Sequence, residues 1–394
     1  MNIHNIALIN DSKKILEFIY KSNLFDKVTL PKLNKKYIEL FDHIKETYTK
    51  VKKSSIPIEH TNNKNIGNIL KIITNSDSIS QYDDDELTIN FIAKETIPLI
   101  TKLNKITNIK YKNTTIKIFD NNIINSLNKP FIRLSNIIYT LYDLYKDGDE
   151  HSQSLTVYIA LTNIKKKIPP KNKIFGPNNV NGGVTFPQNF SLVYRKEENI
   201  KVLLHELLHL FNYQINYELQ KKYKKNITKY LCYSEESDEY LNIDESFVEL
   251  FATILNIIFI MLELEINSKK SLITLLNIER IWSLFQASKV IVFNGFDLYS
   301  ELIQVNCKKI FYEKSNVMSY YIIKSCYLYF LDDFVPYFDN YISFKKILKF
   351  LNNKLFISTM NKMCRFFKKV QSNNKSNKSN NFIINTLRMT ALEI

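Results

Sequence analysis

Apolar and polar positions follow two different rhythms along this chain, and the change of rhythm marks its organisation. Through residues 12–24, 33–51 and 86–103 apolar side chains return at the spacing of an amphipathic helix, and Pro31 suits the start of the second segment. From about residue 107 the period shortens. Residues 109–119 (IKYKNTTIKIF) and 155–164 (LTVYIALTNI) are β-branched and aromatic, which predicts strands. Between them, 131–145 has helical periodicity and ends at Gly148. Residues 169–187 hold four of the nine prolines and three of the six glycines and predict loops, followed by a strand at 191–194. From 199 to about 370 the pattern is almost wholly helical. The polar repeat at 371–381 (QSNNKSNKSNN) predicts a disordered linker or loop, followed by a short apolar end, FIINTLRMTALEI.

The expected fold is α+β and mainly helical, with a small mixed sheet before residue 199 and a helical C-terminal lobe. The expected divisions are a helical region 1–100 with no assigned role, a domain at 101–370 (sheet part about 101–198, helical part about 199–370), and 371–394 as linker and terminal segment.

Composition changes this picture little. Hydrophobic residues at 45% and charged residues at 24% are globular values and exclude wholesale disorder. Six glycines leave no G-x-G-x-x-G or P-loop pattern, which argues against those nucleotide sites. The net charge of +15 raises nucleic acid as a partner. However, Arg133, Arg195, Arg280, Arg365 and Arg388 are the only arginines among the 54 basic residues, and arginine is the preferred reader of phosphate and guanine. An excess of Asn, Ile, Lys and Tyr is what AT-rich codons encode, so a solvated lysine surface is expected.

Cys232, Cys307, Cys326 and Cys364 form no C-x-x-C pair, and free buried thiols in a reducing compartment are expected. The N-terminus lacks a basic region followed by a long apolar run, and the longest apolar run, Leu250 to Leu262, is thirteen residues against the ~20 of a bilayer span. An intracellular, cytoplasmic protein without a membrane span is the expectation.

Chemistry concentrates at residues 201–212, KVLLHELLHLFN. His205, Glu206 and His209 form H-E-x-x-H in an apolar, helix-forming context, with Asn199 available as N-cap. Positions i and i+4 share a helix face, so both imidazoles reach one metal ion. Glu206 lies about 100° round the axis, near enough to hold a metal-bound water without displacing it. Zinc suits two imidazoles, and a catalytic site needs a third protein ligand. Residues 242–255, NIDESFVELFATIL, repeat the i, i+4 spacing with Glu245 and Glu249 among apolar neighbours. Carboxylates on the buried side of a helix need a charge partner or a metal. Glu245 is the expected third zinc ligand, and Glu249 is expected to orient a ligand imidazole. His4, His43, His60 and His151 have no ligand-like spacing.

An H-E-x-x-H helix followed by E-x-x-x-E on a second helix resembles the gluzincin zinc metallopeptidases. The stretch Glu245 to Ala252, E-S-F-V-E-L-F-A, looks most like the lethal factor group. With the AT-rich composition, the chain also resembles zinc metalloproteinases encoded by large DNA viruses. The resemblance implies zinc-dependent peptide-bond hydrolysis, one Zn2+ per chain, a peptide or protein substrate, and Glu206 as the base that activates water. It also implies a Tyr or His that stabilises the oxyanion, with Tyr320 the first choice and Tyr312, Tyr321 and Tyr240 its rivals. An edge strand before the active helix would bind the substrate backbone, at Gly182 and Gly183. No G-x-M-E-N motif is present, which points to an endopeptidase. The competing expectations are a basic nucleic-acid-binding or virion protein with a structural or vestigial zinc site, and a peptidase held inactive by its N-terminal region.

Overall fold

The computed structural model describes residues 7–33, 36–53, 92, 94–103, 105–111, 114–120, 129–145, 155–186, 190–211, 217–304, 306–334, 344–377 and 380–394. Its longer elements are α1 (Asn10–Lys21), α2 (Lys36–Lys53), β1 (Lys105–Tyr111), β2 (Thr114–Asp120), α3 (Lys129–Tyr145), β3 (Leu155–Thr162), β4 (Gly183–Phe186), β5 (Phe190–Arg195), α4 (Asn199–Leu210), α5 (Tyr217–Thr228), α6 (Ile243–Glu263), α7 (Lys269–Phe293), α8 (Phe344–Leu351) and α9 (Lys354–Asn377). The fold is α+β and mainly helical. The chain forms two compact units. One comprises Met1–Tyr37, Lys167–Gly176 and Ile215–Ile394, and the other Ile38–Lys166 and Pro177–Gln214.

The second unit is built on a mixed five-stranded sheet, ordered β1-β2-β3-β5-β4. β1 and β2 are antiparallel, β2–β3 and β3–β5 are parallel, and β4 returns antiparallel along β5. The expected single strand at 109–119 is instead parts of two strands, paired Tyr111 to Thr114, and each seven-residue strand is close to the usual length. One sheet face carries a core of Ile106, Phe119, Tyr158, Val184, Phe190, Leu192 and Tyr194. On the other side α4 packs on β5 and β4, and α3 rests against α4. Because side chains alternate along a strand, Val184 joins the core while Gly183 and Thr185 turn towards α4.

The first unit is helical around α6 and α7. Asn242 caps α6 by accepting from the Asp244 N–H at 3.0 Å, and Asp244 and Glu245 in the first turn complement the helix dipole. Ser268 caps α7, accepting from the Ser271 N–H at 3.3 Å. α6 is long and apolar enough to cross a membrane, but 94% of its most apolar window is buried inside the protein, as in a core helix. α1 belongs to this unit. Its apolar face (Ile15, Leu16, Phe18, Ile19) is buried, and the Phe18 ring lies 5.0 Å from that of Phe285 on α7.

Several sequence expectations need correction. Asn199 is the first residue of α4, not its cap; the N-cap is Glu198, at φ 59°, and it makes no side-chain capping bond. Pro31 lies in non-helical chain ahead of α2. The polar run from 371 is helical to Asn377, because it extends α9, whose Met363, Phe367 and Val370 are already buried. By their contacts, Met1–Tyr37 group with the helical unit and Ile38–Lys166 with the sheet unit. Of the helix expected at 86–103, residues 86–91 and 93 lie outside the described residues, and the rest holds a 3-10 turn, Lys94–Thr96, and one helical turn, Ile97–Ile100. Gly148, His4, His60 and His151 also lie outside the described residues. The cysteines also differ from expectation. Cys232 and Cys307 form a disulfide with Cα atoms 5.3 Å apart, while Cys326 and Cys364 are buried free thiols. No short-range spacing announces a pair 75 residues apart.

Closing a loop of that length restricts the unfolded chain. Reduction, or Cys232→Ala, should therefore lower unfolding free energy by about 2–4 kcal/mol, measured by urea denaturation with and without reductant. Unchanged stability together with four alkylatable thiols, rather than two, in protein unfolded without reductant would refute the bond.

Candidate metal centre

α4 owes its placement to buried charge. Lys166, after β3, reaches Glu198 at the start of α4 with Nζ 3.0 Å from Oε2, and both side chains are almost wholly excluded from water. The Lys166 backbone N–H donates to Glu197 Oε2 at 2.5 Å. Arg195, fully buried at the end of β5, donates from Nε to the Asn181 carbonyl at 2.5 Å and from Nη2 to the Asn178 carbonyl at 2.7 Å. The turn before Gly182 is thereby clamped to the strand that leads into α4. Neither role had a sequence signal, because a lysine or arginine reads as surface until a partner is known.

On α4 the two imidazoles face each other. His205 Nε2 and His209 Nε2 are 3.2 Å apart, with ring centroids 4.8 Å apart and planes at 72°. Two nitrogens each about 2.0–2.1 Å from a tetrahedral zinc would stand about 3.3 Å apart, so the pair already has the spacing of two ligands. His205, His209 and Glu245 form a group that could hold a metal ion: one donor atom from each lies within 4.8 Å of the others. Two imidazole nitrogens and a carboxylate oxygen suit zinc among the common ions. His205 is 6% exposed, and His209 and Glu245 are half-buried, so the group is seated but not sealed.

The Glu206 carboxylate lies against β4. Thr185 Oγ1 lies 2.7 Å from Glu206 Oε2 and 2.8 Å from Ser191 Oγ. A hydroxyl has one proton, so the consistent assignment has Thr185 donating to the carboxylate and Ser191 donating to Thr185 or to the Glu206 carbonyl, 3.2 Å away. The bond to a carboxylate is the charge-assisted kind and fixes the Glu206 rotamer. Gly183 makes this possible. A Cβ there would stand 2.6 Å from Glu206 Oε1 and 2.7 Å from Cγ. Gly182 is similarly confined, with a Cβ meeting Val202 at 3.0 Å. Gly183 opens β4 and Gly182 precedes it; β4 pairs only with β5 among the described strands.

Glu249 lies one turn beyond Glu245 on α6 and is buried. Its Oε2 is 3.8 Å from the buried Lys324 ammonium, a cationic partner that the sequence did not reveal. Tyr320 lies in a π-helical segment, Met318–Ile323, and its hydroxyl oxygen accepts a long bond from Asn316 Nδ2 at 3.5 Å. Among its rivals, the Tyr321 hydroxyl donates to the Leu387 carbonyl at 2.7 Å, Tyr312 is 40% exposed, and Tyr240 ends a short 3-10 turn, Glu235–Tyr240. His43 is exposed. The π-helical segment is anchored by Glu313, whose Oε2 accepts from the Met318 N–H at 2.7 Å and whose Oε1 accepts from the Tyr233 hydroxyl at 2.5 Å.

Comparison with protein-family models, with curated proteins and with solved structures finds no match to this chain.

Two outcomes are expected. Gly183→Ala should cost about 1–3 kcal/mol in urea unfolding, because Glu206 has to leave its seat, and a neutral result would show the seat to be soft. Burial pushes the Glu313 carboxyl from an ordinary 4.5 up to about 8, against the pull of Tyr233 and the Met318 N–H. A raised folded value favours the fold fully below the unfolded value and loses that contribution as pH climbs to the folded one. Parent stability should therefore fall between about pH 5 and 8 relative to Glu313→Gln; parallel pH profiles would rule this out.

Proposed function

We propose that this chain is a zinc-dependent peptidase of the gluzincin type, in which His205, His209 and Glu245 hold the metal and Glu206 is the general base. The observation that carries the reading is the three-donor group, with two imidazole nitrogens already at 3.2 Å, adjoining a carboxylate fixed in one orientation. A zinc ion held there would supply Lewis acidity towards a substrate carbonyl and a nucleophilic water. The chain's own residues do the rest. Glu206 takes the proton from the attacking water and delivers it to the leaving amine, and Thr185 keeps that carboxylate aimed. β4, at the end of the sheet, offers its outer edge to an extended peptide, with Gly182 and Gly183 permitting close main-chain approach. Tyr320 is assigned to the oxyanion as hydrogen-bond donor. The absence of an amine-binding acidic motif favours cleavage within a chain over cleavage at its end.

Elemental analysis of protein purified without chelator should find one zinc per chain. Glu206→Gln should keep the metal and lose hydrolysis by about 10²-fold or more, whereas His205→Ala should lose both. Tyr320→Phe should lower kcat with zinc content and KM little changed. No stoichiometric metal, or hydrolysis that survives Glu206→Gln, would sink the reading.

A further inference from the structure

The end of the chain is held like a bound peptide. Residues 386–392 are all buried and form no helix; their strand-like link is a bridge from Thr386 to Lys167. Many of the contacts that secure them go to main chain. Tyr321 donates to the Leu387 carbonyl at 2.7 Å, Trp282 Nε1 to the Arg388 carbonyl at 3.1 Å, Lys324 to the Met389 carbonyl at 3.0 Å and Asn256 to the Leu392 carbonyl at 3.0 Å. The Glu279 carboxylate accepts from the Ala391 N–H at 3.0 Å and the Leu392 N–H at 3.1 Å. Side chains from α6, α7 and the segment following it thus read the backbone of the tail, as a receptor reads a peptide.

Lys324 links the tail to α6, the helix that carries Glu245. Its ammonium, in a side chain 1% exposed, lies between the Met389 carbonyl and Glu249 Oε2, 3.8 Å away. Glu249 is one helical turn beyond Glu245. Glu279 acts electrostatically on the same ammonium.

We propose that the C-terminal tail is an internal peptide ligand and Lys324 a positioning residue for the metal centre. The docked tail ties the ammonium beside Glu249 and so steadies the turn of α6 that presents Glu245. Deprived of the tail's N–H groups, the buried Glu279 draws Lys324 to itself and away from Glu249. The inference rests on the zinc reading above.

The test uses the full-length chain and reads zinc affinity by competition with a chromophoric chelator, at a temperature where circular dichroism shows each variant folded. Lys324→Met should weaken zinc by about 10–100-fold, the usual effect of removing a group that orients a ligand. Lys324→Arg, which keeps the charge, should retain near-native affinity. Ala391→Pro, which deletes one N–H given to Glu279, should weaken zinc in the same direction as Lys324→Met. If the parent chain binds no zinc, the zinc reading fails and this inference with it. If the parent binds zinc and both Lys324→Met and Ala391→Pro bind it equally well, the tail is structural only and this inference alone is overturned.

Discussion

Burying an ionised side chain is costly unless its partners are fixed in place, and that constraint organises both units of this protein. In the sheet unit, Lys166 and Glu198 neutralise each other out of reach of water, and their pairing sets where α4 begins. Arg195, equally buried, spends its donors on backbone carbonyls of the turn before β4. In the helical unit, Glu279 is wholly enclosed. Burial pushes its carboxyl up to about 6, although the Thr390 hydroxyl, the Ala391 N–H and Lys324 all pull it down. Lys289 is likewise enclosed, its pKa driven well below the ordinary lysine range by burial, and its ammonium is held by the Ile383 and Thr386 carbonyls. Removing one partner of such a pair leaves a charge with nowhere to go, at about 3–5 kcal/mol. The helices that carry the candidate ligands are therefore held by electrostatic matching as well as by apolar packing.

A second constraint acts at close range. Glu206 occupies space that exists only because residue 183 has no Cβ, and Thr185 two positions on supplies the hydroxyl that holds it. Strand alternation puts both on the α4 side while Val184 between them enters the core. A single strand thus seats Glu206 on one face, joins the core with the other, and pairs only with β5 among the described strands.

Much of this was legible in the sequence where the signal is local. Helical periodicity located α1, α2, α3 and the long run from α4 to α9, and H-E-x-x-H placed His205, Glu206 and His209 on one helix. Signals that depend on distant partners were not legible. Lysines that read as an AT-rich solvated surface include Lys166, Lys289 and Lys324, all buried. Cys232 and Cys307 looked like free thiols because 75 residues separate them. The polar end of α9 looked like a linker because composition does not show that the preceding turns already have a buried face to continue.

By itself the sequence determined which side chains are spaced to share a helix face, because that follows from 3.6 residues per turn and needs no knowledge of the rest of the chain. It therefore carried the His205–His209 pair, the Glu245–Glu249 pair and the mainly helical α+β class. Tertiary structure decided what those side chains meet. Glu206 against Gly183 and Thr185, Glu249 against Lys324, and the tail backbone against Glu279 are contacts between segments far apart in the chain. Their geometry is set by strand register and by the packing of whole helices, and no local pattern of residues encodes either.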